Sequence, residues 1–358
     1  MTGFDDARFD YDQVLTFVMG ALSTVGLTED QANGAAEMLV KADLRGVASH
    51  GLGRLTWYVR RLQNGLEDPN AELTIDRESA ATLALDANHS MGLLAGPRAM
   101  RMTIDRAKTS GICLTTVRRS NHFGIAGTYA VMATEEGLGG MAMTNASRLV
   151  VPMFGREPRL GTNPIAFAVP TSGEPFVLDM STSTVAWGKI EIARRAGLPI
   201  PEGWAVDPDG GATTDPHQAK WLTPLGGTRE LAGHKGYGLA MMVDILCGPL
   251  GGNAWSNRIA RPMEQTEPTG TGHTFMAWRI DAFRDPDEFR ADMDEMVREL
   301  RETPRADDAP GPVLIPGDPE SEAERRNMVE GIPVSPALRR ELQDLARDLG
   351  IDDPFGSN

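Results

Sequence analysis

The chain has 358 residues, of which 41% are hydrophobic and 24% are charged, as is typical of a globular protein with a substantial core. Its formal net charge of −15 argues against nucleic acid and anionic membranes as partners, because the averaged field repels both; a local arginine can still bind an anionic substrate. Two cysteines indicate no disulfide framework, and the acidic amino end is unlike a secretory signal, so we expect a cytoplasmic protein with two buried, inert thiols.

The first 65 residues carry a helical pattern throughout. Apolar residues recur at helical spacing over residues 11–22, and Thr28 with Gln31 forms a capping box that opens a second helix. A third helix is predicted over residues 52–64, with Gly65 closing it.

After residue 69 the pattern changes to the alternating strands and helices of an α/β domain. We expect strands at 81–86, 112–117, 140–144, 165–169, 176–178 and 274–280. We expect helices at 97–108, 125–136, 184–195, 237–250 and 289–302. Residues 199–220 read as a loop and 303–312 as a linker, and Ser335 with Pro336 opens a last helix that Gly350 closes.

The segment 45–54, RGVASHGLGR, combines a titratable side chain with a fixed cation. If a helix begins near Ser49, His50 and Arg54 lie on one face about one turn apart. Arginine holds a carboxylate by two parallel hydrogen bonds, and histidine titrates closest to neutral pH. The pair therefore suits a small acid whose neighbouring carbon gains or loses a proton. The structural alternative is that Ser49 only caps the third helix and that both other side chains are solvated.

Three later stretches place glycine and polar side chains beside strands. Residues 121–127, NHFGIAG, join a strand to a helix, where free N–H groups favour an anion such as a pyrophosphate; a tight turn is the alternative. Residues 161–164, GTNP, also fit an ordinary turn. In residues 179–183, DMSTS, Ser181 or Ser183 fits a helix cap.

Residues 233–238, GHKGYG, open the long apolar helix. His234 and Lys235 oppose the helix dipole there unless an anion lies between them, which favours a ligand phosphate. The sequence has no Gly-x-Gly-x-x-Gly after a strand, no Walker loop, no His-Glu-x-x-His and no cysteine cluster, so a Rossmann nucleotide fold and a structural zinc site are unsupported. His89, His217 and His273 are expected at the surface.

Together these motifs resemble the malate/L-lactate dehydrogenase family of non-Rossmann NAD(P)-dependent oxidoreductases. That family includes malate, lactate, sulfolactate, ureidoglycolate and diketogulonate enzymes and an imine-reducing branch. The resemblance implies an α/β fold whose central domain has a mixed, non-Rossmann sheet, plus a helical subdomain formed by both chain ends. We expect a helical subdomain at 1–74, a cofactor-binding domain at 75–305 and a segment at 306–358 that returns to the helical part. The resemblance also implies a homodimer whose active site draws on both subunits.

The resemblance further implies residue roles. His50, oriented by Ser49, would donate the proton to the carbonyl oxygen in reduction and accept it in oxidation, although some members are assigned the histidine matching His122. Arg54 would hold the substrate carboxylate, and Thr162 would touch substrate. The residues implied to contact NAD or NADP are His122, Phe123, Gly124, Ile125, Ala126, Asp179, Met180, Ser181, His234 and Lys235.

We therefore predict hydride transfer between a nicotinamide and a small 2-hydroxy or 2-oxo acid, without a metal. One alternative is an imine reductase of the same family, of the Δ1-piperideine-2-carboxylate type, but Lys189 stands where that branch has an aspartate. Another is a metal-dependent hydrolase using His50, His122 and His234. A third is a nucleotide-binding module without catalysis.

Overall fold

The computed structural model describes residues 6–260 and 267–356. The helices in these parts of the chain are α1 Tyr11–Ser23, α2 Glu29–Leu44, α3 Leu55–Gln63, α4 Gly92–Ser110, α5 Gly127–Thr134, α6 Trp187–Ala196, α7 Gly233–Cys247, α8 Pro286–Arg301, α9 Asp318–Glu330 and α10 Pro336–Leu349. The strands are β1 Ala7–Phe9, β2 Thr74–Glu78, β3 Thr82–Asp86, β4 Ile112–Ser120, β5 Leu138–Thr144, β6 Ile165–Val169, β7 Phe176–Met180, β8 Ala205–Val206, β9 Ala212–Thr213, β10 Trp221–Leu222, β11 Thr271–Arg279 and β12 Ile332–Val334. Within these residues, no helix has both the length and the apolar character needed to cross a membrane.

Both chain ends contribute to one helical subdomain. Its core is formed by side chains of α1, α2, α3 and α10 together with the end of the chain, among them Val14, Leu39, Leu55, Leu342 and Phe355. The strands β1 and β12 pair antiparallel and join the two ends. The predicted helical subdomain of both chain ends is therefore confirmed.

The central sheet has seven strands in the order β2-β3-β4-β11-β5-β6-β7. Only the β3–β4 pair is parallel, so the sheet is mixed, as predicted, and its topology is not that of a Rossmann fold. Side chains alternate across it: Ala142 of β5 packs with α4 and α5, whereas Met141 and Met143 pack with α7. Helices therefore lie on both faces.

Strand directions gather the candidate motifs at one edge of this sheet. β4 and β5 run the same way because both are antiparallel to β11, and β7 runs with them because β6 is antiparallel to both neighbours. The ends of β4, β5 and β7 and the beginnings of β6 and β11 thus lie along one edge. We call this the carboxyl edge; it comprises residues 121–127, 145–148, 161–164, 179–183 and 269–273.

Smaller parts complete the chain. β8, β9 and β10 form a three-stranded sheet that packs with α6 around Ile190, Ile200 and Leu222. Cys113 and Cys247 are buried free thiols, as predicted.

Several elements were not predicted. β1 shows that the first 65 residues are not wholly helical, and β8 and β9 lie inside the predicted 199–220 loop. β2, β12 and α9 were also missed. The helix α9 lacks an apolar stripe, since Ala323 and Asn327 are its buried residues. Its long-range contacts, which sequence periodicity does not report, position it.

Candidate active site

The segment predicted to begin an α-helix near Ser49 forms two 3-10 turns instead, Ala48–His50 and Leu52–Arg54. Gly51 between them has a ψ of −136°, outside the helical range, and so prevents one continuous helix. α3 begins only at Leu55, and no side chain caps it. The predicted α-helix from residue 52 and the capping alternative for Ser49 are therefore both wrong.

The side chains predicted for chemistry nevertheless lie together in this segment. Ser49 Oγ is 2.8 Å from His50 Nδ1, and Arg54 Nε donates a hydrogen bond to the carbonyl oxygen of Ser49 at 2.9 Å. Burial, and secondarily the charge of Arg54, lowers the pKa of His50 to about 4. At neutral pH the His50 ring is therefore uncharged and able to accept a proton.

A second imidazole lies against the first. The rings of His50 and His122 are stacked, with centroids 5.4 Å apart and planes 20° apart. Tyr58 Oη lies 2.5 Å from His122 Nδ1, and the Trp57 ring meets the His122 ring edge-on. Burial, together with the charges of His50 and Arg54, lowers the pKa of His122 well below its usual range. The structure thus brings both candidate histidines to one place.

The backbone before His122 is fixed by a buried polar network. Asn121 Oδ1 accepts hydrogen bonds from Arg61 Nη2 at 3.2 Å and from Thr269 Oγ1 at 3.0 Å. Arg61 also donates to Glu67 at 2.7 Å, and both side chains are fully buried. Burial raises the pKa of Glu67, whereas the charge and the hydrogen bond of Arg61 lower it. Several independent bonds therefore hold this segment.

His273 is not at the surface, so that prediction is wrong. It lies in β11, between two neighbouring strands, and is fully buried. Its two ring nitrogens are each 2.8 Å from a hydroxyl, Thr144 Oγ1 and Ser120 Oγ, and its ring stacks on Phe123 with centroids 4.4 Å apart. His273 therefore packs against Phe123 and supports the segment that follows His122.

The start of α5 is tied to the end of β7 by a hydrogen bond. The N–H of Gly127 donates to Asp179 Oδ2 at 2.7 Å, and a Cβ at residue 127 would lie 2.9 Å from that oxygen. Desolvation raises the pKa of Asp179 to about 6, while the Gly127 hydrogen bond opposes it. Thr128 Oγ1 is buried and has no hydrogen-bond partner in the described chain. Thr128 lines a groove between α2, α4, α5 and α9, so its hydroxyl lies on the side of α5 away from the carboxyl edge.

Two further stretches form one unit at the carboxyl edge. Thr182 Oγ1 donates to the carbonyl oxygens of Thr162 and Asn163, at 3.1 and 3.0 Å, and thereby joins residues 161–164 to residues 179–183. Ser181 and Ser183 bond to each other at 3.0 Å.

Neither serine caps α6, which begins at Trp187 with Ala186 at the N-cap and no side-chain cap. The capping alternative for these serines is therefore wrong. The predicted start of this helix at residue 184 is three residues early.

α7 begins where the sequence placed His234 and Lys235. Both side chains are exposed, and Arg229 contacts His234 Nδ1. Gly236 is required by close packing, since a Cβ there would lie 2.2 Å from the carbonyl oxygen of Leu225. Arg229 and His234 thus meet at a helix N-terminus that also carries Lys235, an arrangement that favours a bound anion.

A groove of about 1110 Å³ runs between α2, α4, α5 and α9, and none of the predicted site residues lines it. The candidate site is instead the carboxyl edge together with the two 3-10 turns above it. Within residues 6–260 and 267–356, no three His, Cys, Asp or Glu side chains are grouped so that they could hold a metal ion.

Comparison with known proteins decides the family. Residues 9–343 match the model of the malate/L-lactate dehydrogenase family. The chain belongs to this family. It is 41% identical to a malate dehydrogenase of Pyrococcus abyssi over 348 residues, which cover 96% of this chain and 95% of the relative. The structure of malate dehydrogenase from Pyrococcus horikoshii OT3 superimposes with a TM-score of 0.91 at 36% identity, covering 99% of this chain and 98% of that one.

Members of the malate/L-lactate dehydrogenase family differ in substrate and cofactor. A ureidoglycolate dehydrogenase (NAD(+)) of Escherichia coli K12 is 33% identical over 318 residues, which cover 87% of this chain and 88% of the relative. Other relatives are named as L-sulfolactate dehydrogenases and as an NADP(+)-dependent sulfolactate dehydrogenase. The relatives are thus NAD- or NADP-dependent dehydrogenases of 2-hydroxy acids.

The sequence interpretation missed some residues that the structure places at the site. Tyr58 and Trp57 contact His122, and Asp43 lies beneath Gly51. Tyr58 had a readable signal, since it lies four residues after Arg54 and so one helical turn further along. Asp43 had none, because an aspartate near a helix end usually faces solvent.

Proposed function

We propose that the protein is an NAD(P)-dependent oxidoreductase that interconverts a small 2-hydroxy acid, malate or lactate in type, with its 2-oxo acid. The observation that carries the proposal is the convergence of a neutral imidazole, His50, with the Arg54 guanidinium on one short segment, stacked against His122. A general base and a carboxylate clamp at this spacing are what oxidation of a 2-hydroxy acid requires.

In the proposed reaction each group has one task. Arg54 binds the substrate carboxylate and so fixes the direction of the hydroxyl on the neighbouring carbon. His50 accepts the hydroxyl proton in oxidation and returns it in reduction, with Ser49 Oγ holding Nδ1. His122, held by Tyr58, orients the reacting group beside it. Thr162 touches the substrate from the carboxyl edge.

A bound nicotinamide would accept or supply the hydride. We assign its binding to residues 122–126 at the start of α5, to Asp179, Met180 and Ser181 at the end of β7, and to His234 and Lys235 at the start of α7. The basic start of α7 supports this assignment, because cationic side chains at a helix N-terminus favour a phosphate there.

We also propose a homodimer with the site near its interface. α7, which begins with His234 and Lys235, exposes an apolar face of Met241, Met242 and Ile245, which are 40%, 40% and 52% exposed. A second copy covering that face would lie next to the cofactor residues. Light scattering should give a dimer, and Ile245→Lys should give monomers with lowered activity. A fully active wild-type monomer would contradict this.

The alternatives have weaker support. Lys189 stands where the imine-reducing branch carries an aspartate, which favours the 2-oxo acid reaction over imine reduction. The hydrolase alternative gains no support, since the described residues group no three metal ligands. A binding module without catalysis would enhance NADH or NADPH fluorescence and turn over no 2-oxo acid.

The test is a panel of 2-oxo acids, including oxaloacetate and pyruvate, assayed with both reduced cofactors. His50→Ala should lower kcat by about 10²- to 10⁴-fold, the usual contribution of general acid–base catalysis, and should leave NADH affinity nearly unchanged. Arg54→Ala should act mainly on substrate affinity and so on kcat/KM. An unchanged kcat in His50→Ala would move the acid–base role to His122.

A further inference from the structure

We propose that Asp43 is a positioning residue of the active site, the support that sets the distance and direction between His50 and Arg54. The inference rests on the proposed function and adds a residue that none of the motifs contains. Asp43 lies in the last turn of α2, below the segment 45–54, which we call the His50 loop. It is 4% exposed.

The carboxylate holds the middle of the His50 loop. Asp43 Oδ2 accepts a hydrogen bond from the backbone N–H of Leu52 at 2.6 Å. Leu52 lies midway between His50 and Arg54, at the start of the second 3-10 turn. The N–H groups at the start of such a turn have no partner within it, so an external acceptor is needed. One carboxylate oxygen therefore fixes the joint between the two turns.

Gly51 packs directly on the same carboxylate. A Cβ at residue 51 would lie 1.9 Å from Asp43 Oδ2 and 2.2 Å from its Cγ. Because there is no room for a Cβ, space alone requires glycine at residue 51. Because Gly51 has no side chain, the backbone of the loop can pack directly against the buried side chain of Asp43.

Asp43 is itself fixed from the other side. Its own carbonyl oxygen accepts hydrogen bonds from Asn327 Nδ2 at 3.2 Å and from Gly46 N at 3.0 Å, so that α9 clamps the end of α2. No arginine or lysine of the described chain forms an ion pair with the Asp43 carboxylate. Burial raises the pKa of Asp43 to about 7, although the hydrogen bond from Leu52 opposes the rise. An acid that is costly to ionise in the fold adds little to stability, which points to a role in geometry.

The loop transmits this placement to both reacting side chains. Arg54 N donates to the carbonyl oxygen of Gly51 at 2.8 Å, and Arg54 Nε donates to that of Ser49 at 2.9 Å. A shift of the Gly51–Leu52 joint therefore moves the imidazole and the guanidinium relative to each other. The substrate carboxylate and the hydroxyl beside it would then no longer fit both groups at once.

The test compares wild type with Asp43→Ala, Asp43→Asn and Gly51→Ala. We expect Asp43→Ala to lower kcat/KM for the 2-oxo acid by about 10- to 100-fold, the size of effect that a displacement of about 1 Å produces. Both kcat and KM should change, because His50 and Arg54 move together. Asp43→Asn keeps an acceptor oxygen and should be intermediate, and Gly51→Ala, which pushes on the carboxylate from above, should resemble Asp43→Ala.

Two readouts separate positioning from loss of folded enzyme. With reduced cofactor deuterated at the transferred position, the primary isotope effect should rise in the variants because the chemical step slows. NADH affinity should stay within about twofold of wild type, since all residues assigned to the cofactor lie outside the His50 loop and only the His122 ring stacks on it. A lower kcat with unchanged KM and isotope effect would indicate only a smaller active fraction and would overturn the proposal.

Asp285→Ala is the matched control. Asp285 also accepts hydrogen bonds from backbone N–H groups, those of Asp287 and Glu288, but at the start of α8. It should lower the unfolding temperature without changing kcat, KM or the isotope effect.

Hydrogen exchange supplies a readout that does not need activity. Peptides covering residues 45–54 should exchange faster in Asp43→Ala and Gly51→Ala and should be unchanged in Asp285→Ala. If wild type reduces no 2-oxo acid, the proposed function fails, and the exchange rates alone then decide about Asp43. Unchanged exchange in this loop, or faster exchange with wild-type kinetics in an active enzyme, would overturn the role of Asp43.

Discussion

Two buried carboxylates support the two imidazoles of the site, and they do so differently. Asp43, below the His50 loop, has the backbone N–H of Leu52 as its partner and no ion pair in the described chain. Glu67, behind His122, is paired with Arg61, which is also bonded to Asn121. The joint at Leu52 of the His50 loop thus depends on one carboxylate oxygen, whereas His122 follows a segment that a network of several bonds holds.

The difference indicates that the stability of the fold depends on Glu67, whereas the geometry of the site depends on Asp43. Loss of the Glu67 charge would leave a fully buried guanidinium without a counterion, whereas loss of the Asp43 carboxylate would free one backbone joint. Variants at Glu67 should therefore affect mainly the stability of the fold, and variants at Asp43 mainly the rate of turnover.

Glu67→Gln gives the largest expected effect on folding. The free energy of unfolding should fall by about 3–5 kcal/mol, because Arg61 stays buried and charged with a neutral partner. The kcat of the enzyme that remains folded should change less than the kcat of Asp43→Ala. Urea denaturation monitored by tryptophan fluorescence measures the first quantity, and steady-state assays at low temperature measure the second.

Removal of both charges provides the control for this prediction. Arg61→Met combined with Glu67→Gln should recover most of the lost stability, since neither buried charge remains unpaired. A decrease below about 1 kcal/mol in Glu67→Gln would show that the pair is solvated, and the contrast between the two carboxylates would then disappear.

Tyr58→Phe tests the hydrogen bond between α3 and the ring of His122. The substitution removes the hydroxyl group, whose oxygen lies 2.5 Å from His122 Nδ1, and keeps the aromatic ring. We expect a loss of about 1–2 kcal/mol in transition-state stabilisation, or about 5- to 30-fold in kcat/KM. A double-mutant cycle with His122→Ala isolates the pair: equal effects of Tyr58→Phe in both backgrounds would show that the phenol acts elsewhere.

Local signals in the sequence predicted much of the fold. The capping box of Thr28 and Gln31 and the Ser335 start of α10 are both as expected, because these hydrogen bonds lie within a few residues of each other. The pairing of β1 with β12 was missed because it joins opposite ends of the chain, and neither short strand has a pattern of its own.

The site was predictable in its motifs but not in its supports. His50 and Arg54 were selected by residue type and spacing and His122 through the family resemblance, and the structure brings the three together. His273 was expected at the surface because its segment is polar; its burial follows from the two strands on either side, which spacing within one strand does not reveal. The contacts of Asp43 with Gly51 and Leu52 form only in the folded chain, so the sequence gives no signal for its role.

The smallest expected effect concerns the charge state of His50 and sharpens the contrast between the two rings. Burial is the larger cause of its low pKa, about 4, and the Arg54 charge is the smaller. Arg54→Met should therefore raise the pKa of His50 but leave it below the usual 6.5. For His122, burial is again the first cause and the Arg54 charge follows that of His50, so its pKa should rise as well while remaining low.

NMR titration of the imidazole Cε1–H signals, assigned with His50→Gln, measures these pKa values without substrate.

The pH dependence of wild-type activity should have opposite directions for oxidation and reduction. Oxidation needs neutral His50, so its kcat/KM should rise through about pH 4 and then stay level. Reduction needs the protonated ring and should lose about tenfold in kcat/KM per pH unit above that value. In Arg54→Met the pH at which each kcat/KM profile changes slope should move higher. Profiles that change slope at the wild-type pH would show that the guanidinium does not act on the His50 ring.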